Sequence, residues 1–165
     1  MKLLPGYKYL FIIAFTAIAL YSCSVSKEAR TSKKDINGNW YLETIVTEGI
    51  NAKFKARLFN EADFGCFIGS KWNFIANNSM GSYTIIDIQK DCPAVKRNIR
   101  WSIYEPRDSA KQFQFKRLDD KKNTIDNGDG FRFTILKIDD KQMKLKSSII
   151  FEGQPAAIIY NFVRN

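Results

Sequence analysis

The chain holds 3 cysteines, 17 aspartate and glutamate side chains and no histidine, so the chemistry open to it is narrow. A Ser or Cys nucleophile needs a neighbouring base, and without an imidazole neither a Ser–His nor a Cys–His pair can form. No phosphate-cradling Gly-rich loop and no dinucleotide fingerprint occurs. Paired carboxylates remain as an acid and a base, but the acidic residues fall mainly in turn-rich stretches, where solvation is expected to keep their pKa values ordinary. Asp126-Asn127-Gly128-Asp129-Gly130 lacks the alternate-position carboxylates and the distant Glu of an EF-hand loop, and it reads as a hairpin turn. Cys66 and Cys92 with no histidine make a poor zinc site. The expectation is a protein with no catalytic residues, metal or cofactor, carboxylate catalysis in a cleft being the alternative.

The first segment is a targeting signal. Lys2 and Lys8 precede an apolar run over residues 9–21, in which Thr16 is the only polar side chain. That run is shorter than the about 20 residues needed to cross a bilayer as a helix, but it suits the core of a signal peptide. It closes on Leu20-Tyr21-Ser22-Cys23, which resembles the lipobox of bacterial lipoproteins. The resemblance implies removal of residues 1–22 and acylation of Cys23, with an ordinary signal and a chance cysteine as the rival reading. Acyl chains hold a protein to a membrane by roughly 0.8 kcal/mol per buried CH₂.

Beyond Cys23 the composition changes. Residues 24–35 are dominated by Ser, Thr, Lys and Arg with almost no large apolar side chain. Such a stretch has nothing to bury, so residues 23–35 read as a lipidated cysteine and flexible tether and residues 36–165 as one domain. Without Lys2 and Lys8, 24 basic residues face 17 acidic ones, a net charge of about +7. That charge favours anionic membrane surface or acidic polymers. Nucleic acid is not expected as a partner, because the lysines are spread along alternating positions and most suit a solvated face. With Cys23 acylated, Cys66 and Cys92 are left as a lone pair, and in an oxidising compartment such a pair usually forms a disulfide. The cross-link would stabilise the fold by roughly 3 kcal/mol.

Within the domain, apolar residues recur with period two. Trp72 and Phe74, then Ile99, Trp101 and Ile103, then Phe113 and Phe115, then Phe131, Phe133 and Ile135, then Met143, Leu145 and Ile149 each alternate with polar partners. Turn chemistry separates the runs at Asn77-Asn78-Ser79-Met80-Gly81, Asp119-Asp120-Lys121-Lys122, Asp126-Asn127-Gly128-Asp129-Gly130, Asp139-Asp140-Lys141 and Glu152-Gly153-Gln154-Pro155. This is the pattern of one-sided antiparallel strands joined by short connections. Only residues 60–67 leave room for a short helix or a long loop. An all-β chain of about eight such strands closes most readily as an antiparallel up-and-down barrel, a sandwich being the alternative. The residues opposite the apolar face are Lys, Arg, Gln and Asn, which excludes an outer-membrane barrel with its lipid-facing exterior.

Asn37-Gly38-Asn39-Trp40-Tyr41 at the start of the first strand resembles the Gly-x-Trp signature of lipocalins. The stretch from Gly38 to Arg164, with Cys66-Phe67-Ile68-Gly69-Ser70-Lys71-Trp72 and Asp91-Cys92-Pro93, resembles the lipocalin-like lipoproteins of the Bacteroidetes. The resemblance implies that Trp40 closes one end of the barrel, that Arg164 packs across it, and that the interior holds a small hydrophobic ligand. Trp72, Phe74, Trp101, Phe113, Phe115, Phe131 and Phe133 would then line a pocket, or equally fill the barrel solid. In the second case the protein is a structural or protein-interaction module with an envelope protein as partner. Asp108-Ser109-Ala110 resembles the short O-glycosylation motif of exported proteins in that phylum, with Ser109 as acceptor. Ser24-Val25-Ser26-Lys27-Glu28 lacks an acidic cluster of the kind associated with surface export, so an outer-membrane lipoprotein facing the periplasm is expected.

Overall fold

Each alternating run forms a strand because side chains at i and i+2 share one face, so a period-two pattern separates a dry face from a wet one. The computed structural model describes residues 27–50, 56–86 and 92–165. Helix α1 (Lys27–Ile36) leads into β1 (Gly38–Glu48). Two short strands, β2 (Arg57–Leu58) and β3 (Ala62–Asp63), and helix α2 (Phe64–Phe67) follow. Then come β4 (Lys71–Ile75), β5 (Met80–Ile85), β6 (Val95–Tyr104), β7 (Gln112–Leu118), β8 (Phe131–Ile138), β9 (Gln142–Phe151) and β10 (Gln154–Arg164).

Eight strands close into an antiparallel barrel in the order β1-β10-β9-β8-β7-β6-β5-β4, while β2 and β3 pair only with each other. Closure falls to β1, which pairs with β10 from Trp40↔Arg164 to Glu48↔Ala157 and with β4 from Gly38↔Phe74 to Tyr41↔Lys71. From β4 to β10 every strand pairs with its neighbour in sequence, so the connections are hairpin-like and no crossover is needed. The register stacks inward aromatics in rows: Trp101 opposes Phe115, Ile103 opposes Phe113, and Phe113 and Phe115 oppose Phe133 and Phe131. Gly81 permits one close approach in this wall. A Cβ there would lie 2.4 Å from the Asn73 carbonyl oxygen and 3.3 Å from Ile99.

The expectation of a flexible tether through residue 35 is corrected over Lys27–Ile36, which is helical. A polar ten-residue helix has little stability alone. Here the barrel end holds it: Ile36 is fully buried, Trp40 Nε1 donates to the Ile36 carbonyl at 2.7 Å, and Lys33 Nζ donates to Ser79 Oγ at 2.7 Å. Lys111 Nζ also donates to Ser32 Oγ at 3.3 Å. Ser79 and Lys111 lie far along the chain, so local composition does not reveal them.

Candidate functional site

The barrel interior is the first place to look for a ligand, and aromatic side chains occupy it. Trp72, Phe74, Trp101, Phe113, Phe115 and Phe133 are buried, and Phe131 packs partly buried against them. At their centre stands Phe59, which none of the barrel strands supplies. It comes from the turn between β2 and β3, and its ring meets those of Phe67, Trp72, Phe115, Phe131, Phe133 and Tyr160 at centroid distances of 5.0–6.0 Å. The void enclosed by Phe59, Trp72, Phe74, Phe113, Phe115, Phe133, Leu145, Tyr160 and Phe162 measures about 10 Å³. That is about one water probe. Between the two expectations for these rings, lining a pocket or filling the barrel, the geometry is filling.

The turn that delivers Phe59 is held by charge. Phe59 and Asn60 both lie in the left-handed region, at φ 51° and 52°, which turns the chain sharply enough to aim one ring inward and the next carboxylate at the wall. Glu61 Oε2 accepts from Tyr83 Oη at 2.7 Å, Arg97 Nε at 2.9 Å and Arg117 Nη1 at 2.7 Å, while Oε1 accepts from Arg97 Nη2 at 2.8 Å. Arg117 also forks onto Asp126, with its Nε donating to Oδ2 at 2.7 Å and its Nη2 donating to Oδ1. The side chains of Glu61, Arg117 and Asp126 are only 9%, 7% and 10% exposed. Burial alone would push the Glu61 carboxyl up, but the hydrogen bonds from Arg97, Tyr83 and Arg117 outweigh it and hold the pKa at about 2. The Arg117 fork likewise holds Asp126 below its ordinary value.

The expectation that turn carboxylates keep ordinary pKa values is therefore corrected for Glu61 and Asp126, and for Asp139, which the backbone N–H groups of Lys141 and Gln142 hold at about 2. Glu61 and Asp126 are clamped in the ionised form, which suits a latch and not a group that exchanges protons near neutrality. Arg97 and Arg117 carried a signal in the sequence: each sits on the inward phase of its strand, with Ile99 and Trp101 or with Phe113 and Phe115. A cation on an apolar face demands a buried partner.

Cys66 of α2 and Cys92, just before β6, form a disulfide with a Cα–Cα distance of 5.5 Å. The bond ties the plugging segment to the barrel wall and spans 26 positions. In the chain-entropy treatment a loop of that length contributes about 3.5 kcal/mol. Reduction, or Cys66→Ser with Cys92→Ser, is expected to lower stability by about that amount. Guanidinium unfolding with and without a phosphine reductant measures it, and an unmoved midpoint would show that the bond contributes nothing.

At the opposite end the Arg164 guanidinium lies 4.2 Å over the Trp40 ring. Its Nη1 donates to the Asn37 carbonyl at 2.7 Å, Nη2 to that of Asp35 at 2.6 Å and Nε to that of Asp140 at 2.6 Å. Gly38, at φ 116°, keeps this space open: a Cβ would come within 2.9 Å of Arg164 Nη1. Ser109 is exposed in the connection between β6 and β7, and Cys23 lies outside the described residues. Asp126-Asn127-Gly128 forms a left-handed turn, at φ 61°, 54° and 85°, and among the described residues no group of three His, Cys, Asp or Glu comes together that could hold a metal ion.

The closed eight-stranded antiparallel barrel, with Gly-x-Trp opening β1 and a late Arg over the Trp, makes the fold lipocalin-like. Among solved structures the chain is similar to a lipocalin-like protein from Bacteroides uniformis, at 13% identity and a TM-score of 0.43 over 79% of this chain and 99% of that one. It is also similar to bovine odorant-binding protein in complex with a selenium-containing odorant, at 10% identity and a TM-score of 0.43 over 86% of this chain and 78% of that one. No family model and no curated protein matches the chain.

Proposed function

We propose that the protein is a non-catalytic binding module of the cell envelope, held through acylated Cys23 at the periplasmic face of the outer membrane and working through its outer surface. The observation that carries this reading is the Phe59 plug. A chamber reduced to about 10 Å³ is far below the several hundred Å³ of a ligand pocket. The clamped carboxylates support the non-catalytic part, since neither titrates near neutrality.

A second reading, storage of a small apolar ligand in the barrel, is favoured by one feature. Phe59 belongs to a connection and not to the wall, and it holds a left-handed conformation that non-glycine residues adopt at a cost of order 1–3 kcal/mol. Its withdrawal would leave a ring-lined space for an apolar molecule.

Native mass spectrometry of the full chain before and after incubation with a total lipid extract separates the two. A bare protein supports the surface-acting module, and a discrete adduct of defined mass would replace it with the carrier. Metabolic labelling with an alkyne fatty acid tests the lipid: label is expected on the chain and absent from Cys23→Ser.

A further inference from the structure

A recess in the wall lies on its outside. A groove of about 500 Å³ crosses the outer faces of β6, β7 and β8, from Ser79 in the β4–β5 turn to the strip Gly128-Asp129-Gly130 before β8. Three cations line it: Arg100 of β6, Lys116 of β7 and Arg132 of β8. Arg100 and Lys116 are cross-strand partners. Like charges directly opposite one another on a sheet repel and destabilise the pair. None of the ion pairs among the described residues relieves them. Asp129 is the one acidic residue in the lining.

The rest of the lining is uncharged, Trp101, Phe115 and Phe131 contributing apolar surface beside neutral polar side chains. Gln114 Nε2 donates to Ser102 Oγ at 2.9 Å, and Ser79 adds a second hydroxyl. Gly130 keeps the strip close to the wall, since a Cβ there would lie 3.1 Å from the Phe115 carbonyl oxygen and 3.2 Å from Lys116 Cγ. Beside the groove, Tyr104 is 46% exposed with the Arg132 guanidinium 5.4 Å over its ring.

We propose that this groove binds a linear acidic polysaccharide, an assignment that rests on the reading of the protein as a module acting through its outer surface. The geometry sets the charge interval of the partner. Arg100 and Lys116 sit on adjacent strands about 4.8 Å apart, and Arg132, which pairs with Gln114, stands one diagonal step beyond, roughly 7–8 Å. A chain with one carboxylate per sugar meets cations at that spacing. Arg forks onto carboxylates through two parallel hydrogen bonds, and an anion between Arg100 and Lys116 removes their repulsion. Ser79, Ser102 and Gln114 supply donors and acceptors for sugar hydroxyls, and Tyr104 offers a ring for a sugar face. A flat anionic bilayer fits less well, because the cations lie in a recess bounded by a turn and a loop.

The test uses the full chain and sodium polygalacturonate as the probe, with neutral dextran and vesicles containing phosphatidylglycerol in parallel, read by isothermal titration and vesicle co-sedimentation. Saturable binding of polygalacturonate but not dextran is expected. The triple variant Arg100→Gln, Lys116→Gln, Arg132→Gln is expected to weaken it by about tenfold or more. Lys71→Gln, Lys121→Gln, Lys144→Gln, which removes the same charge from exposed positions elsewhere, is expected to leave it nearly unchanged. The groove variant is expected to melt no lower than the parent, since a repulsive pair has been removed; if it does melt lower, Lys116→Gln alone carries the comparison. Equal weakening by both triple variants would reduce the interaction to net charge and overturn the site. Absence of polygalacturonate binding, or vesicle binding that the groove variant abolishes while polygalacturonate is ignored, would overturn the partner. A lipid adduct inside the barrel bears on the interior alone and leaves these outcomes readable.

Discussion

Phe59→Ala is expected to cost about 3–5 kcal/mol of unfolding free energy and to give the barrel an affinity for small aromatic molecules that the parent lacks. The cost follows from the contacts: six rings surround Phe59, and all of them sit on a closed sheet or on α2, which the disulfide ties to that sheet. A wall of that kind relaxes little into the space, so the lost transfer energy is joined by a cavity term of about 24 cal/mol per Å³. A dry apolar cavity of about 150 Å³ can take up benzene, and the enclosure here is apolar throughout. Urea unfolding measures the first effect, and a benzene- or indole-dependent rise in the melting temperature of the variant measures the second. A small loss with no ligand-dependent rise would mean that the hairpin collapses inward and that the ring contributes bulk alone.

Glu61→Ala should be comparably severe for a different reason. It removes the acceptor of four hydrogen bonds and leaves Arg97, with Tyr83 and one arm of Arg117, facing a wall with no anion. Removing one partner of a buried ion pair costs about 3–5 kcal/mol, most of it the penalty of the charge left behind. Asp126 keeps Arg117 partly compensated, which places the expectation near the lower end of that range.

The same carboxylate makes a pH prediction. Its pKa falls from 4.5 to about 2 on folding, so the unfolded chain binds the proton first. The contribution is complete above about 4.5 and is lost as the pH falls from there towards 2. Melting temperatures taken across that interval should fall in the parent and lose much of that slope in Glu61→Gln. A Gln variant as steep as the parent would assign acid sensitivity to other carboxylates.

The strands were legible because their determinants are local. Period-two alternation places Trp101, Phe113 and Phe133 on one face, and the Asx chemistry of the turns is realised: Asp139 Oδ1 accepts from the backbone N–H of Lys141 and of Gln142. The plug was not legible for the opposite reason. Phe59 lies in a stretch without periodicity, and its meaning depends on rings up to 101 positions away at Tyr160. The latch was half legible. The inward phase of Arg97 and Arg117 announces two cations turned towards the apolar face, but nothing near either names Glu61 as the shared anion. Helix α1 was misread because its stabilising partners, Ser79 and Lys111, are supplied by other hairpins.

Under the proposed acylation of Cys23, helix α1 would also set which way the molecule points. It lies across the barrel end that Trp40 and Arg164 close, and its first residue follows Cys23 by four positions. Four residues reach at most about 14 Å. If Cys23 is acylated as proposed, that short reach would draw the Trp40 end towards the headgroups and turn the Phe59 end away from the lipid. Arg100, Lys116 and Arg132, on the wall between the two ends, would then face along the membrane plane.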